Sequence, residues 1–107
     1  MPQEASNIWK QSVEQLKALA DPLRIRLLRE LINAPRTVTE LAVLYDLDVG
    51  GLSHHLGVLF RVGLVERTRQ GRFVEYRVSA PVAKEDGAGR GERVRVSLEN
   101  LVIEYLQ

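Results

Sequence analysis

Ser53, His54 and His55 stand in a row, and they form the densest group of potentially reactive side chains in this 107-residue sequence. A serine beside a histidine suggests a nucleophile with its base, and paired histidines suggest a metal, but the spacing defeats both. Neighbours on a helix point about 100° apart, so His54 and His55 cannot ligate one ion from a single helix. No nearby acid completes a Ser-His-acid arrangement. With no cysteine in the sequence, thiolate ligands, disulfides and thiol switching are excluded. Neither catalysis nor a cofactor is expected. What remains is hydrogen bonding, and Ser53 and His54 are donors and acceptors suited to base edges and phosphate oxygens.

The segment that must position them runs from Asp48 to Gly63. Asp48 can cap a helix, and Gly63 can take the left-handed conformation that ends one. At helical spacing Leu52, Leu56 and Leu59 share one face, while Gly50, Ser53, His54, Gly57 and Arg61 lie opposite, with Gly51 beside them. His55 sits at the core margin, where a bond inside the domain competes with contact to DNA. Glycine inside a helix costs about 1 kcal/mol relative to alanine, so Gly50, Gly51 and Gly57 need a reason. Close approach to base edges in a major groove is such a reason. The segment is therefore expected to be a recognition helix for double-stranded DNA.

Upstream, apolar residues recur at helical spacing from residue 5 to 20, with Ser6 or Asn7 available to cap the start. Asp21-Pro22 opens a second helix, which runs to Asn33. Thr37-Val38-Thr39-Glu40 is a capping box that opens a short third helix. Arg36, Thr37 and Thr39 are candidates for a phosphate seat there, since free backbone N–H groups gather at a helix start. After Gly63 the period becomes two: residues 64–70 and 73–78 read as strands joined at Gly71-Arg72. Residues 61–77 hold five arginines against two glutamates, a net of +3, whereas residues 40–60 have no Lys or Arg and three acids. Arg67, Arg69, Gln70 and Arg72 are thus candidates for following the DNA backbone or entering the minor groove.

This order implies a mostly α chain with a small β-hairpin, a winged helix-turn-helix over residues 1–78. Residues 79–92, with one proline and three glycines, read as a flexible linker. Residues 93–107 fit a helix slightly better than a pair of strands. A formal charge of +1 and a pI near 8.1 place the electrostatic case on local clustering alone. No apolar run approaches a membrane span, and the N-terminal residues lack a signal-peptide layout. A cytoplasmic protein is expected, with no membrane partner. A protein-interaction module that kept the winged fold but lost DNA binding is the competing class, prompted by the acidic stretch from Glu40 to Phe60.

Four segments together resemble the ArsR/SmtB family of bacterial transcriptional repressors: residues 16–28 (LKALADPLRIRLL), 37–42 (TVTELA), 52–59 (LSHHLGVL) and 63–72 (GLVERTRQGR). The resemblance implies a homodimer that binds an operator palindrome in the nucleoid and represses transcription. It also implies that the first and last elements form the dimer interface, with Ile8, Trp9, Val13 and Leu16 from one and Leu98, Leu101, Val102 and Tyr105 from the other. Metal-sensing members carry cysteines around the third helix or His and Asp on the last. This sequence has Leu41-Ala-Val-Leu-Tyr-Asp46 and a histidine-free Arg93–Gln107 at those places, so no sensory metal site is expected. A small organic effector near Trp9 and Tyr105 is the remaining route to regulation.

Overall fold

Four helices are delimited by their own end signals in the computed structural model, which describes residues 3–86 and 91–106. The first, α1 (Gln3–Leu19), begins earlier than the sequence suggests, so Ser6 and Asn7 lie inside it rather than at its cap. The second, α2 (Pro22–Leu31), starts with Pro22 in its first turn and the Asp21 carboxylate accepting from the N–H groups of Leu23 (2.9 Å) and Arg24 (3.3 Å). A two-residue strand, β1 (Arg36–Thr37), leads into α3 (Val38–Tyr45). The capping box is present: Thr37 Oγ1 accepts from Glu40 N–H and Glu40 Oε1 accepts from Thr37 N–H, both at 3.1 Å. Asp46, at φ 52°, turns the chain into α4 (Val49–Arg61).

Both ends of α4 are fixed locally. Asp48 Oδ1 accepts from Gly51 N–H at 3.0 Å. At the other end Gly63, at φ 79°, donates to Phe60 O, and Leu64 donates to Leu59 O, each at 3.0 Å. This pair of bonds is the Schellman termination, and the buried Leu64 anchors it. The wing follows as β2 (Val65–Gln70) and β3 (Phe73–Val78), antiparallel, with β1 on the other side of β3. Gly71, at φ 62°, makes the two-residue turn between them.

Beyond the wing the structure corrects two expectations. Residues 82–86 are a strand, β4 (Val82–Asp86), rather than part of a linker; Gly87–Arg90 lie outside the described residues. The preference for a C-terminal helix also fails, because the chain forms β5 (Glu92–Ser97) and β6 (Val102–Leu106). The three strands make a second antiparallel sheet, ordered β4-β5-β6. The cause is the alternation itself. Val94 and Val96 point inward and are fully buried, while Arg95 and Arg93 reach outward to Glu85 (2.7 Å) and Glu104 (3.5 Å). β-branched residues at every second position pack better on a pleated face than along a helix.

One core joins the parts. Leu27, Leu28 and Leu31 of α2, Leu41 of α3, and Leu52, Leu56 and Leu59 of α4 cluster with Leu64, Val65, Tyr76, Val82, Val94, Val96 and Leu98. Polar bonds strap the second sheet over α1 and α2: the wholly buried Ser12 Oγ accepts from Asn100 N–H at 3.1 Å, and Tyr105 O–H donates to Ile25 O at 3.3 Å. Gln15 Nε2 donates to Val62 O at 3.1 Å, tying α1 to the end of α4. No described helix is long and apolar enough to cross a membrane.

Candidate nucleic-acid interface

The outer face of α4 is as the helical spacing requires: Gly50, Gly51, Ser53, His54 and Arg61 are exposed and Gly57 is half-buried. The glycines on this face differ in cause. A Cβ on Gly50 would meet Asp48 Oδ1 at 3.0 Å, the oxygen that caps the helix, so Gly50 answers to the cap. A Cβ on Gly57 would meet only Arg61 Nη1, at an ordinary 3.7 Å. Nothing inside the protein asks Gly57 to be small, and the helix would gain from alanine there.

The period of two in the wing separates its charges. Val65, Arg67 and Arg69 alternate along β2 and pair with Val78, Tyr76 and Val74 of β3. They share the face on which Val65 and Tyr76 are buried against the helices. Glu66, Thr68, Gln70, Glu75 and Arg77 occupy the other face and satisfy one another. Arg77 Nη2 donates to Thr68 Oγ1 at 2.6 Å and Nε pairs with Glu66 at 3.3 Å, while Gln70 Nε2 donates to Glu75 at 3.5 Å. Arg67 lies over the Phe60 ring at 3.9 Å, a cation–π contact that fastens the wing to the end of α4. Arg69 and Arg72 are exposed and make no ion pair among the described residues.

The start of α3 is more committed to the fold than the sequence suggests. Arg36 pairs with Glu30 (3.3 Å) and Glu40 (3.6 Å), and Thr37 is the cap, leaving Thr39 exposed beside them. The Thr37 backbone N–H and side-chain hydroxyl hold the Glu40 carboxyl below its ordinary pKa, with Arg36 adding to the effect and slight desolvation opposing it. His55 is half-buried, its Nδ1 3.5 Å from Arg24 Nη1, and its ring meets that of His54 edge-on at 5.5 Å.

The residues expected at a dimer interface divide. Trp9 and Val13 are each 43% exposed on α1, and Leu101 and Val102 are exposed at the start of β6. Leu16 is half-buried, Leu98 is in the core, and Tyr105 is half-buried with its hydroxyl donating to Ile25 O. Ile8 belongs to α1, and its side chain lies outside the described residues. An apolar cavity of about 250 Å³ opens between Leu16, Leu19, Ala20, Ile25, Ile103 and Tyr105, without Trp9.

The helix-turn-helix domain family HTH_20 matches residues 19–68, which run from the end of α1 into β2. The chain is 40% identical over 82 residues to the uncharacterized HTH-type transcriptional regulator Rv0081 of Mycobacterium tuberculosis, covering 73% of this chain and 69% of that protein. The crystal structure of Rv0081 superposes with a TM-score of 0.62 over 68% of this chain and 74% of that one. A crystal structure of an ArsR family transcriptional regulator, RHA00566, is 31% identical, with a TM-score of 0.61 over 65% of this chain and 72% of that one. The chain belongs to the ArsR family of winged helix-turn-helix transcriptional regulators. The homodimeric winged helix-turn-helix DNA-binding domain Mb0332 of Mycobacterium bovis is 28% identical, with a TM-score of 0.68 over 73% of this chain and 72% of that one. That family is one of transcriptional regulators, not of enzymes.

Residue spacing alone locates α4 and the wing of this regulator but not three residues beside them. Phe60 is the seat of Arg67, a cross-element contact that no local pattern contains. Arg24 reaches His55 from 31 residues away. Val49, 48% exposed in the first turn of α4, continues the strip that Ser53 belongs to, and its place one turn before Ser53 was the available signal.

Proposed function

We propose that this ArsR-family regulator is a dimeric repressor acting in the bacterial cytoplasm at the nucleoid, where it occludes a palindromic operator. Gly50, Gly51, Ser53, His54 and Gly57 enter the major groove, with His55 at its margin. Arg67, Arg69, Gln70 and Arg72 lie along the backbone or minor groove, Arg61 meets DNA from the last turn of α4, and Arg36, Thr37 and Thr39 border a phosphate at the start of α3. The observation that carries this is the pairing of Gly57, smaller than its own fold requires, with a row of arginines on the adjacent wing face. Two-fold symmetry through Ile8, Trp9 and Val13 of α1, with Leu101 and Val102 contributing, places half-sites about one helical turn of DNA apart. The homodimeric state of the Mycobacterium bovis domain supports that arrangement.

The test is fluorescence anisotropy on duplexes from the protein's own promoter region, titrated with salt, together with sedimentation to read the oligomeric state. Binding that weakens steeply with salt is expected. Arg69→Ala should weaken binding to all sequences and flatten the salt dependence, whereas His54→Ala should erode discrimination between operators. Salt-insensitive behaviour without duplex affinity would favour the interaction module instead. A second reading, regulation by a small organic molecule, is favoured by the apolar cavity beside Tyr105. Ligand entry there should change operator affinity in the same assay.

A further inference from the structure

A helix lying in the major groove has a phosphate backbone on each side, because the groove, about 12 Å wide, barely exceeds the helix diameter of about 10–12 Å. The wing meets α4 at one margin, that of Phe60, on which Arg67 stacks. The opposite margin of α4 carries His55 and Val58, and it faces α2 through the contact of His55 with Arg24. There, Lys17 of α1, Arg24 of α2 and Arg61 of α4 line a single cleft of about 510 Å³ together with Glu14 and Val58.

Three cations thus meet one acid in a chain whose formal charge is only +1. Glu14 is engaged with Lys17 at 3.2 Å, and neither Arg24 nor Arg61 makes an ion pair among the described residues. Arg24 is also short of acceptors. Its Nη1 meets only His55 Nδ1, at 3.5 Å, and no carboxylate among the described residues pairs with it. The Asp21 carboxylate, at the start of the same helix, already accepts from the backbone of Leu23 and Arg24. Arg61 carries the cleft onto the groove-facing surface, since its Nη1 lies 3.7 Å from where a Cβ of Gly57 would stand. An anion with several acceptor oxygens is what these donors lack, and a phosphodiester group has them.

We propose that this cleft is a second phosphate seat, in which Arg24 and Arg61, with Lys17 beside them, hold the DNA backbone on the side of the recognition helix away from the wing. The inference rests on the DNA-binding reading and extends it: the regulator grips both walls of the groove, and the missing cations of residues 40–60 are supplied by α1, α2 and the last turn of α4.

The test is the slope of log affinity against log salt on an operator duplex for the parent chain, Arg24→Gln, Arg61→Gln and the wing variant Arg69→Gln. Each variant should lower the slope by about 0.9, the value for one phosphate contact on duplex DNA, and weaken operator and scrambled DNA alike. If thermal melting shows that Arg24→Gln does not fold, Arg61→Gln and Lys17→Gln carry the test on exposed side chains. An unchanged slope in the cleft variants alongside a lowered one in Arg69→Gln would overturn the seat. So would calorimetry in which pyrophosphate binds the parent chain but not Arg24→Gln while the DNA slope stays the same, since the cleft would then serve a small anion. A parent chain with no salt-dependent duplex binding would overturn the underlying reading and the seat with it.

Discussion

Gly57→Ala should make this protein more stable and a poorer DNA binder. Gly57 lies in the third turn of α4, and alanine in a helix interior is worth about 0.5–1 kcal/mol over glycine. The added Cβ would find only Arg61 Nη1 within 4 Å, at 3.7 Å, the mobile end of a long side chain, so no steric cost offsets that gain. For a domain of this size 1 kcal/mol corresponds to about 4–8 °C in Tm, and thermal melting by circular dichroism should register a rise of that order or slightly less. If α4 lies against base edges, the same methyl holds the helix away from them, and the bonds made by Ser53 and His54 stretch beyond useful length. A loss of about 1.4 kcal/mol, a factor of ten in Kd, is expected in anisotropy titrations on the operator. Gly50→Ala is the contrasting case. Its Cβ would stand 3.0 Å from Asp48 Oδ1, so the propensity gain is offset by a disturbed cap and Tm should hardly rise. A Gly57→Ala protein that is more stable and binds the operator as tightly as the parent would refute the close approach of α4 to DNA.

Removing the cap of the recognition helix with Asp48→Ala should cost about 0.5–2 kcal/mol of stability, measurable by urea melts. Because the Gly51 N–H then loses its acceptor, operator affinity should fall along with it. Desolvation is the largest single influence on Asp21 and acts to raise its pKa, but the N–H donors of Arg24 and Leu23 together with the charges of His55 and Arg24 outweigh it and hold the carboxyl below its ordinary value. A depressed folded pKa contributes stability above the unfolded value, about pH 4, that is lost as pH falls through the folded one. Urea melts at decreasing pH should therefore show an acid loss in the parent that Asp21→Asn lacks, and identical acid slopes would contradict the assignment. Burial pushes the Tyr105 hydroxyl up to about 12, with Arg29 opposing. Its contribution is complete below about pH 10, the unfolded value, and is lost as pH rises through the folded one. Tyr105→Phe should remove that alkaline loss and cost about 0.5–1.5 kcal/mol at neutral pH through the bond to Ile25 O.

Signals confined to a few neighbouring residues were legible without any structure. The Asp21-Pro22 start, the Thr37/Glu40 box, the Asp48 cap and the Gly63 stop are each satisfied within one turn of chain, so residue types at fixed offsets suffice to find them. The same holds for the buried stripe of Leu52, Leu56 and Leu59 and for the alternating wing. The second sheet was not legible in this way. Val82–Asp86 has little apolar content of its own and becomes a strand through its antiparallel pairing with β5. The run from Arg93 onward satisfies helical and strand periods alike until its partners choose between them. Among the described residues expected at the dimer interface, Leu98 and Tyr105 carry the right side chains for a partner, yet the sheet turns them inward.

The sequence by itself therefore determined α4, its polar and glycine-rich outer face, and the arginine content of the wing, because helix and strand periods alone assign side chains to faces. Only the tertiary structure decided that Gly50 stands against its cap while Gly57 has room for a methyl, that Arg36 is held by two glutamates, that Arg67 rests on Phe60, and that Arg24 shares a cleft with Arg61. The physical reason is distance along the chain. A period fixes the direction in which a side chain leaves its own element, whereas its partner depends on which other element the core brings alongside.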